Sequence, residues 1–252
     1  MKFPAWRTIE QHLPNYHYVL LALFFFGGLE LIFFIHRFIP LLTSLLAMIV
    51  VAGVALLKAE EGIRFRLAAA VLPALAVSGA VSFSLFLPVT ALVHLFMVLS
   101  ALLLYFLLSL GAREAYPTWN WTIALVLFFL NAASCLGWRY YLYAPILVLL
   151  VLIAAISGLT LWQGWRRLNA PRGQAIAVAM GGALVLTEVA WALQFLPLHY
   201  LIQAGVLTAS YYLIFNLTRI SLKRHLQRSD LFEYGMVGVV ALFIVLLLAR
   251  WR

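Results

Sequence analysis

Of the chain's 252 residues, 66% are hydrophobic and only 10% are charged, with a mean hydropathy of +1.05. A soluble domain carries about 45–50% apolar and about 25% charged residues, so no aqueous surface can be assembled from this composition, and lipid must be the solvent for most of the exterior. The net charge of +9 would suit nucleic acid in a soluble protein. In a membrane chain it reads instead as loop charge facing anionic headgroups, and no nucleic-acid partner is expected.

A membrane-crossing helix needs about 20 apolar residues, and nine such segments follow one another along the chain. The first runs from about Tyr18 to Ile39, and the second follows Pro40 and ends near Lys58. The third runs from Leu67 to Leu87 with Pro73 inside it, and the fourth from Val89 to Leu110. The fifth spans Trp119 to Trp138, the sixth Leu142 to Trp165, and the seventh Gln174 to Leu196. The eighth spans Leu198 to Leu217 and the ninth Glu233 to Ala249. Pro40, Pro88 and Pro197 stand at very short joints, where proline disfavours helix continuation and splits each long apolar block into a hairpin. The expected fold is an all-α polytopic bundle, a single transmembrane domain over residues 1–252. Residues 1–14 contain Lys2 and Arg7 but also Pro4, Glu10 and Pro14, and the run that follows is long and lacks a small-residue cleavage site. A retained first helix is expected rather than a signal peptide.

Orientation follows from the loop charges. With nine helices, one side receives Lys2, Arg7, Lys58, Arg64, Arg66, Arg113, Arg166, Arg167, Arg172, Arg219, Lys223, Arg224 and Arg228. The other receives Arg37, Arg139, Arg250 and Arg252. The first side is therefore read as cytoplasmic, with the N-terminus inside and the C-terminus outside. Trp119, Trp121, Trp138, Trp162, Trp165 and Trp251 fall near segment ends, where an aromatic belt would sit. The longest polar connection, Thr218 to Phe232, interleaves basic residues with Ile220, Leu222 and Leu226. It is read as a positive cytoplasmic loop, with a short interfacial amphipathic helix as the alternative.

Gly27-Gly28, Glu30 and Pro40 in the first segment are echoed by Gly181-Gly182, Glu188 and Pro197 in the seventh. This suggests a weak parallel repeat of residues 18–87 and 174–250, an arrangement known in transporters.

Glu30 and Glu188 are the two acidic residues well inside the predicted spans. A charge at the bilayer centre costs about 2.5–3.5 kcal/mol on insertion scales. Each carboxyl must therefore meet protein, water or a partner, or carry a proton. The predicted topology puts both in the outer half of their segments, along with His36, Arg37, His94, Asn131, Arg139, Gln194, His199 and Gln203. A polar cavity open to the extracytoplasmic side is expected, with Glu30, Glu188, His94, Asn131, Gln194, Arg37 and Arg139 as candidate substrate- or ion-binding residues. Arg37 and Arg139 are the candidate counter-ions, and sequence cannot pair them. Taken singly, a polar residue of this kind more often bonds a neighbouring helix than a ligand, and it is the clustering that points to a site.

Signatures of known chemistry are missing. There is no HExxH, no phosphate-cradling glycine loop before GK[ST], and no GxSxG. The single cysteine, Cys135, lies in an apolar run and supports neither a disulfide nor a metal spacing. No metal and no cofactor are expected, and no lysine lies deep in a span where a Schiff base would need one.

The C-terminal part carries a Glu-bearing apolar helix ending in proline (TEVAWALQFLP) and then a tyrosine-bearing helix (ASYYLIFNL). A basic loop, the Glu233-Tyr234 start of the last segment and Arg250-Trp251 follow. Over residues 187–251, with an echo at Glu30 to Pro40, this pattern resembles a family of multi-pass bacterial membrane proteins of unknown function. The resemblance implies a bacterial cytoplasmic membrane and agrees with the topology, and it transfers no site.

Three functions fit these residues. The first is binding or transport of a small solute or lipid-like molecule through the outward polar cavity, without catalysis. The second is a membrane enzyme acting on a lipid-linked substrate at the outer leaflet, with a glutamate as general base and Arg37 or Arg139 on a phosphate, although the short outer joints leave little room for one. The third is a structural subunit whose glutamates pair with charges on membrane-protein partners.

Overall fold

A computed structural model describes residues 13–34, 39–57, 63–112, 117–167, 171–223, 232, 235–240, 243 and 247. These residues are helical apart from short turns, with no strand among them. Eight helices have defined bounds. They are α1 (Leu13–Phe34), α2 (Ile39–Leu57), α3 (Ile63–Ser84), α4 (Thr90–Ala112), α5 (Pro117–Leu142), α6 (Ile146–Arg167), α7 (Arg172–Leu193) and α8 (Tyr200–Lys223). Residues 235–240 form part of a further helix where the ninth segment was expected.

Six helices contain stretches long and apolar enough to cross a membrane: Tyr16–Phe34, Thr90–Ser109, Thr122–Leu142, Ile146–Trp165, Gly173–Leu193 and Tyr200–Ile220. Thr43–Val54 in α2 and Ala70–Ser84 in α3 are shorter apolar helices. At about 1.5 Å per residue, the 22 residues of α1 reach about 33 Å, roughly the thickness of a hydrocarbon core.

The boundaries shift from the sequence reading by a few residues at several ends, and three of the shifts have a clear local reason. Pro40 lies inside α2 rather than in the joint before it, because a first-turn proline gives up an N–H that has no helical partner anyway. The fifth helix runs on to Leu142, and its hairpin turn falls at 143–145. There Tyr143 takes the left-handed backbone conformation (φ 53) and Arg139 donates from Nη1 to the Ala144 carbonyl at 3.0 Å. Helix α8 continues through Lys223, so Thr218 to Lys223 extends a helix instead of opening a loop. The remainder of that predicted loop, residues 224–231, lies outside the described residues, as do His36 and Arg37.

Contacts cluster in two compact units, residues 1–123 and 124–252. In the first, α1 packs on α2 and α4, and α3 packs on α2 and α4, closing a four-helix ring. The α1 face that is buried reads Ala22, Phe25, Leu29, Ile32, the three-and-four spacing of a helix seam. Leu46, Val50 and Val54 answer from α2, and Val93, Met97, Leu104 and Leu107 from α4. Lipid tails are as apolar as leucine, so burial alone does not bring such helices together and close packing must. The glycines supply it. A Cβ on Gly28 would stand 2.6 Å from Leu46 Cδ1, and one on Gly53 would stand 3.0 Å from Leu21 Cδ1.

In the second unit α7 packs along α6 and against α8. Gly182 is a tight point of that contact. A Cβ there would lie 2.5 Å from Leu161 Cδ1 and 3.2 Å from Ile214 Cγ2. Phe128 of α5 stacks on Tyr211 of α8, with centroids 4.5 Å apart and planes 17° from parallel. Trp165, expected in an aromatic belt, is instead enclosed, with its ring against Phe215. Its position near a helix end suits a belt, but the face it occupies on α6 is the one turned toward α8.

Candidate functional site

Glu30 lies in the last turns of α1, about 6 Å along the axis from Phe34. His94 lies in the second turn of α4. The two helices are neighbours in the first unit, and the fold closes a 64-residue sequence gap to a hydrogen bond of 2.8 Å between Glu30 Oε1 and His94 Nδ1. Phe33, one turn after Glu30, sets its ring edgewise to the imidazole, with centroids 5.6 Å apart at 71°. The i and i+3 positions of α1 thus grip one histidine from two directions.

The pair is not sealed. The side chains keep 34% (Glu30) and 46% (His94) of their surface, so a further group can reach them. When Glu30 is ionised, Nδ1–H donates to it and Nε2 is left with a lone pair. When the ring is doubly protonated, the pair becomes an ion pair. Either way the dyad can take up or release a proton or hold a positive group, while the carboxylate remains partnered inside an apolar helix pair.

The other sequence candidates sit in different surroundings. Glu188, in the second unit, is exposed on α7 and makes no ion pair among the described residues. Gly181, Leu184, Val185 and Ala192 share its exposure. Arg139 makes no ion pair among the described residues of its unit. Its guanidinium caps the α5–α6 turn through Ala144. Arg37, the other proposed counter-ion, lies outside the described residues. Asn131 is buried and donates to the Leu127 carbonyl one turn back on α5. Gln194 ends α7 and donates to Gln203 Oε1 at 3.2 Å, while Gln203 donates to the Leu198 carbonyl at 3.1 Å. These two glutamines clasp the α7–α8 joint. His199 accepts from the Leu201 N–H at 3.4 Å and sits among Tyr140 and Tyr200, with centroids at 5.4 and 4.4 Å. Two further polar side chains, Ser78 and Ser84 on α3, bond carbonyls of their own helix. Among the described residues, no three His, Cys, Asp or Glu side chains come together as a metal site would need.

Two groupings were not foreseen. Tyr140, Tyr141, His199 and Tyr200 pack as an aromatic cluster where α5 ends and α8 begins. Ser157, Thr160, Gln163 and Tyr211 are polar groups buried inside the second unit. The only sequence signal for the second grouping was the three-residue spacing along α6, which is weak in so apolar a run.

A family model described as a protein of unknown function (DUF5656) matches residues 18–248. The chain belongs to this family. The match takes in almost the whole chain, well beyond residues 187–251 on which the resemblance was read, and it includes the Glu30–His94 pair and Glu188. No curated protein and no solved structure matches the chain.

Proposed function

We propose that this protein binds or transports a small solute or lipid-like molecule in a bacterial cytoplasmic membrane, at a polar site opening to the extracytoplasmic side. The N-terminus is inside, as the segregation of basic residues favours. The observation that carries the reading is the Glu30–His94 hydrogen bond, made between two apolar helices and left half-open. A carboxylate this far into an apolar helix is costly, and a purely structural pair would be expected to be enclosed. The half-open dyad suits a proton or the positively charged group of a solute. The outer joints are short, which weighs against an enzyme handling a lipid headgroup.

The test is flux through the purified protein in proteoliposomes, with trapped pyranine reporting internal pH and methylammonium as the cationic probe. Wild-type protein should move protons or methylammonium above empty vesicles, Glu30→Gln should abolish the movement, and His94→Gln should reduce it strongly. Wild-type flux in both variants would sink the proposal.

A second reading, a subunit of a larger membrane assembly, is favoured by one feature. Glu188 stands on an exposed face of α7 two turns after Gly181, where a Cβ would meet nothing within 4 Å. Small residues admit close helix approach, and a partner helix bearing a cation would neutralise the carboxylate. Co-purification of a membrane partner from native membranes, lost in Glu188→Gln, would support this reading. Recovery of the same partner by the variant would count against it.

A further inference from the structure

Serines and threonines in these helices mostly satisfy themselves. Ser134, Thr187, Thr208, Ser210 and Thr218 each donate to the carbonyl four residues back. Ser157 on α6 departs from this habit. It is fully buried, and its hydroxyl has no hydrogen-bond partner among the described residues.

Ser157, Thr160 and Gln163 follow at three-residue steps, forming a row inclined to the α6 axis with about 4.5 Å of axial rise between neighbours. All three are buried. Tyr211 on α8 is fully buried as well, and its hydroxyl lies near Thr160 without meeting the geometry of a hydrogen bond to it. The stacked Phe128 ring holds the plane of the tyrosine, and with it the direction of the hydroxyl. The Thr160 hydroxyl donates to the Ile156 and Ser157 carbonyls and keeps lone pairs to offer. The Tyr211 hydroxyl and Gln163 Oε1, like Ser157 Oγ, lack a hydrogen-bond partner among the described residues.

Polar atoms left unpaired inside an apolar bundle are costly, more so with hydrocarbon around the bundle. The occupant that would relieve them must be neutral, because the buried polar groups described in this unit are Ser, Thr, Asn and Gln side chains together with Tyr200, Tyr211 and the unpaired Trp165 indole N–H, none of them charged. It must both donate and accept, since Ser157 and Tyr211 offer protons while Gln163 Oε1 and Thr160 accept them. It must also be small, because Gly164 lets Phe215 approach so closely that a Cβ there would stand 2.6 Å from its ring, which leaves little room beside the row. Water meets all three conditions, and two to four polar partners are what a buried water requires.

We propose that the second unit binds ordered water between α6 and α8, held by Tyr211, Ser157 and Thr160 and continuing to Gln163. The site is separate from the Glu30–His94 dyad and stands whether or not the transport reading holds. It gives the second unit a hydrated polar row in an otherwise apolar interior.

The test is radiolytic hydroxyl labelling of the full chain in nanodiscs, which marks side chains that touch bound water. Tyr211 should label well above background despite its burial, and Ser157→Ala should lower that labelling several-fold. In parallel, Tyr211→Phe should lower the unfolding midpoint, because it removes a group the water holds. Background labelling of Tyr211 in the wild type overturns the proposal irrespective of the stability result. Labelling that Ser157→Ala leaves unchanged overturns the assigned site. A raised midpoint for Tyr211→Phe would mean that the hydroxyl is dry and unpaired, which also overturns it.

Discussion

The Glu30–His94 pair can be measured as a coupling energy. The perturbation is a double-mutant cycle: Glu30→Leu, His94→Leu and both together. A hydrogen bond to a charged group contributes about 1.5–3 kcal/mol when well buried. Here the side chains keep 34% and 46% of their surface, so the full figure does not apply. Polar pairs between membrane helices average about 0.6 kcal/mol in such cycles and reach about 1.7. The 2.8 Å geometry and the flanking Phe33 place this pair toward the upper part of that range, and a coupling of about 1 kcal/mol is expected, roughly fivefold in the unfolding equilibrium. The readout should come from the first unit itself. Val50 is fully buried there and Cys135 is the chain's single cysteine. A Val50→Cys reporter in a Cys135→Ser background, reacted with a thiol dye across a denaturant series, would follow that unit's unfolding. Independent sites add to within about 0.3–0.5 kcal/mol, so a coupling inside that margin would refute the pairing and, with it, the basis of the proposed site.

Other consequences can be checked with the same preparations. Gly182→Val should lower the unfolding midpoint by an amount corresponding to about 1–3 kcal/mol, because its Cβ meets Leu161 and Ile214. Gly181→Ala, whose Cβ would meet open space, should be close to neutral. Arg139→Gln should leave flux unchanged and cost less than about 1 kcal/mol, since it loses one exposed bond to Ala144, and a flux defect equal to that of Glu30→Gln would restore Arg139 as a counter-ion. Glu188→Leu should stabilise the isolated protein by removing an exposed carboxylate from an apolar helix and should weaken any partner complex, whereas a destabilised isolated protein would show that Glu188 is held within the chain. Cys135 is buried on α5, so maleimide should label it slowly in the folded protein and quickly once the second unit unfolds. Fast labelling of the folded protein would contradict that burial.

How far the sequence could be read depended on which signal each feature left in it. Segment lengths and proline joints placed the helices to within a few residues. The misses were local: Pro40 entered α2, the turn after α5 moved to Tyr143, and α8 ran on to Lys223. Glu30 and Glu188 stood out because a carboxylate in an apolar run is conspicuous. His94 was named among the polar groups, but nothing in the sequence could join it to Glu30 across 64 residues. Of the two arginines expected as counter-ions, Arg139 donates to a hairpin carbonyl and Arg37 lies outside the described residues.

The sequence by itself determined the helical class, the presence of helices long and apolar enough to cross a membrane, their approximate boundaries and the rarity of charge inside them, because these depend on composition and on runs along one chain. The tertiary structure alone decided which side of each helix meets protein. These helices are apolar all round, so the faces toward lipid and toward neighbours are chemically alike and leave no periodic mark. Packing drew Glu30 to His94, left Glu188 on an open face, enclosed Trp165 against Phe215, and gathered Ser157, Thr160 and Tyr211 in one interior.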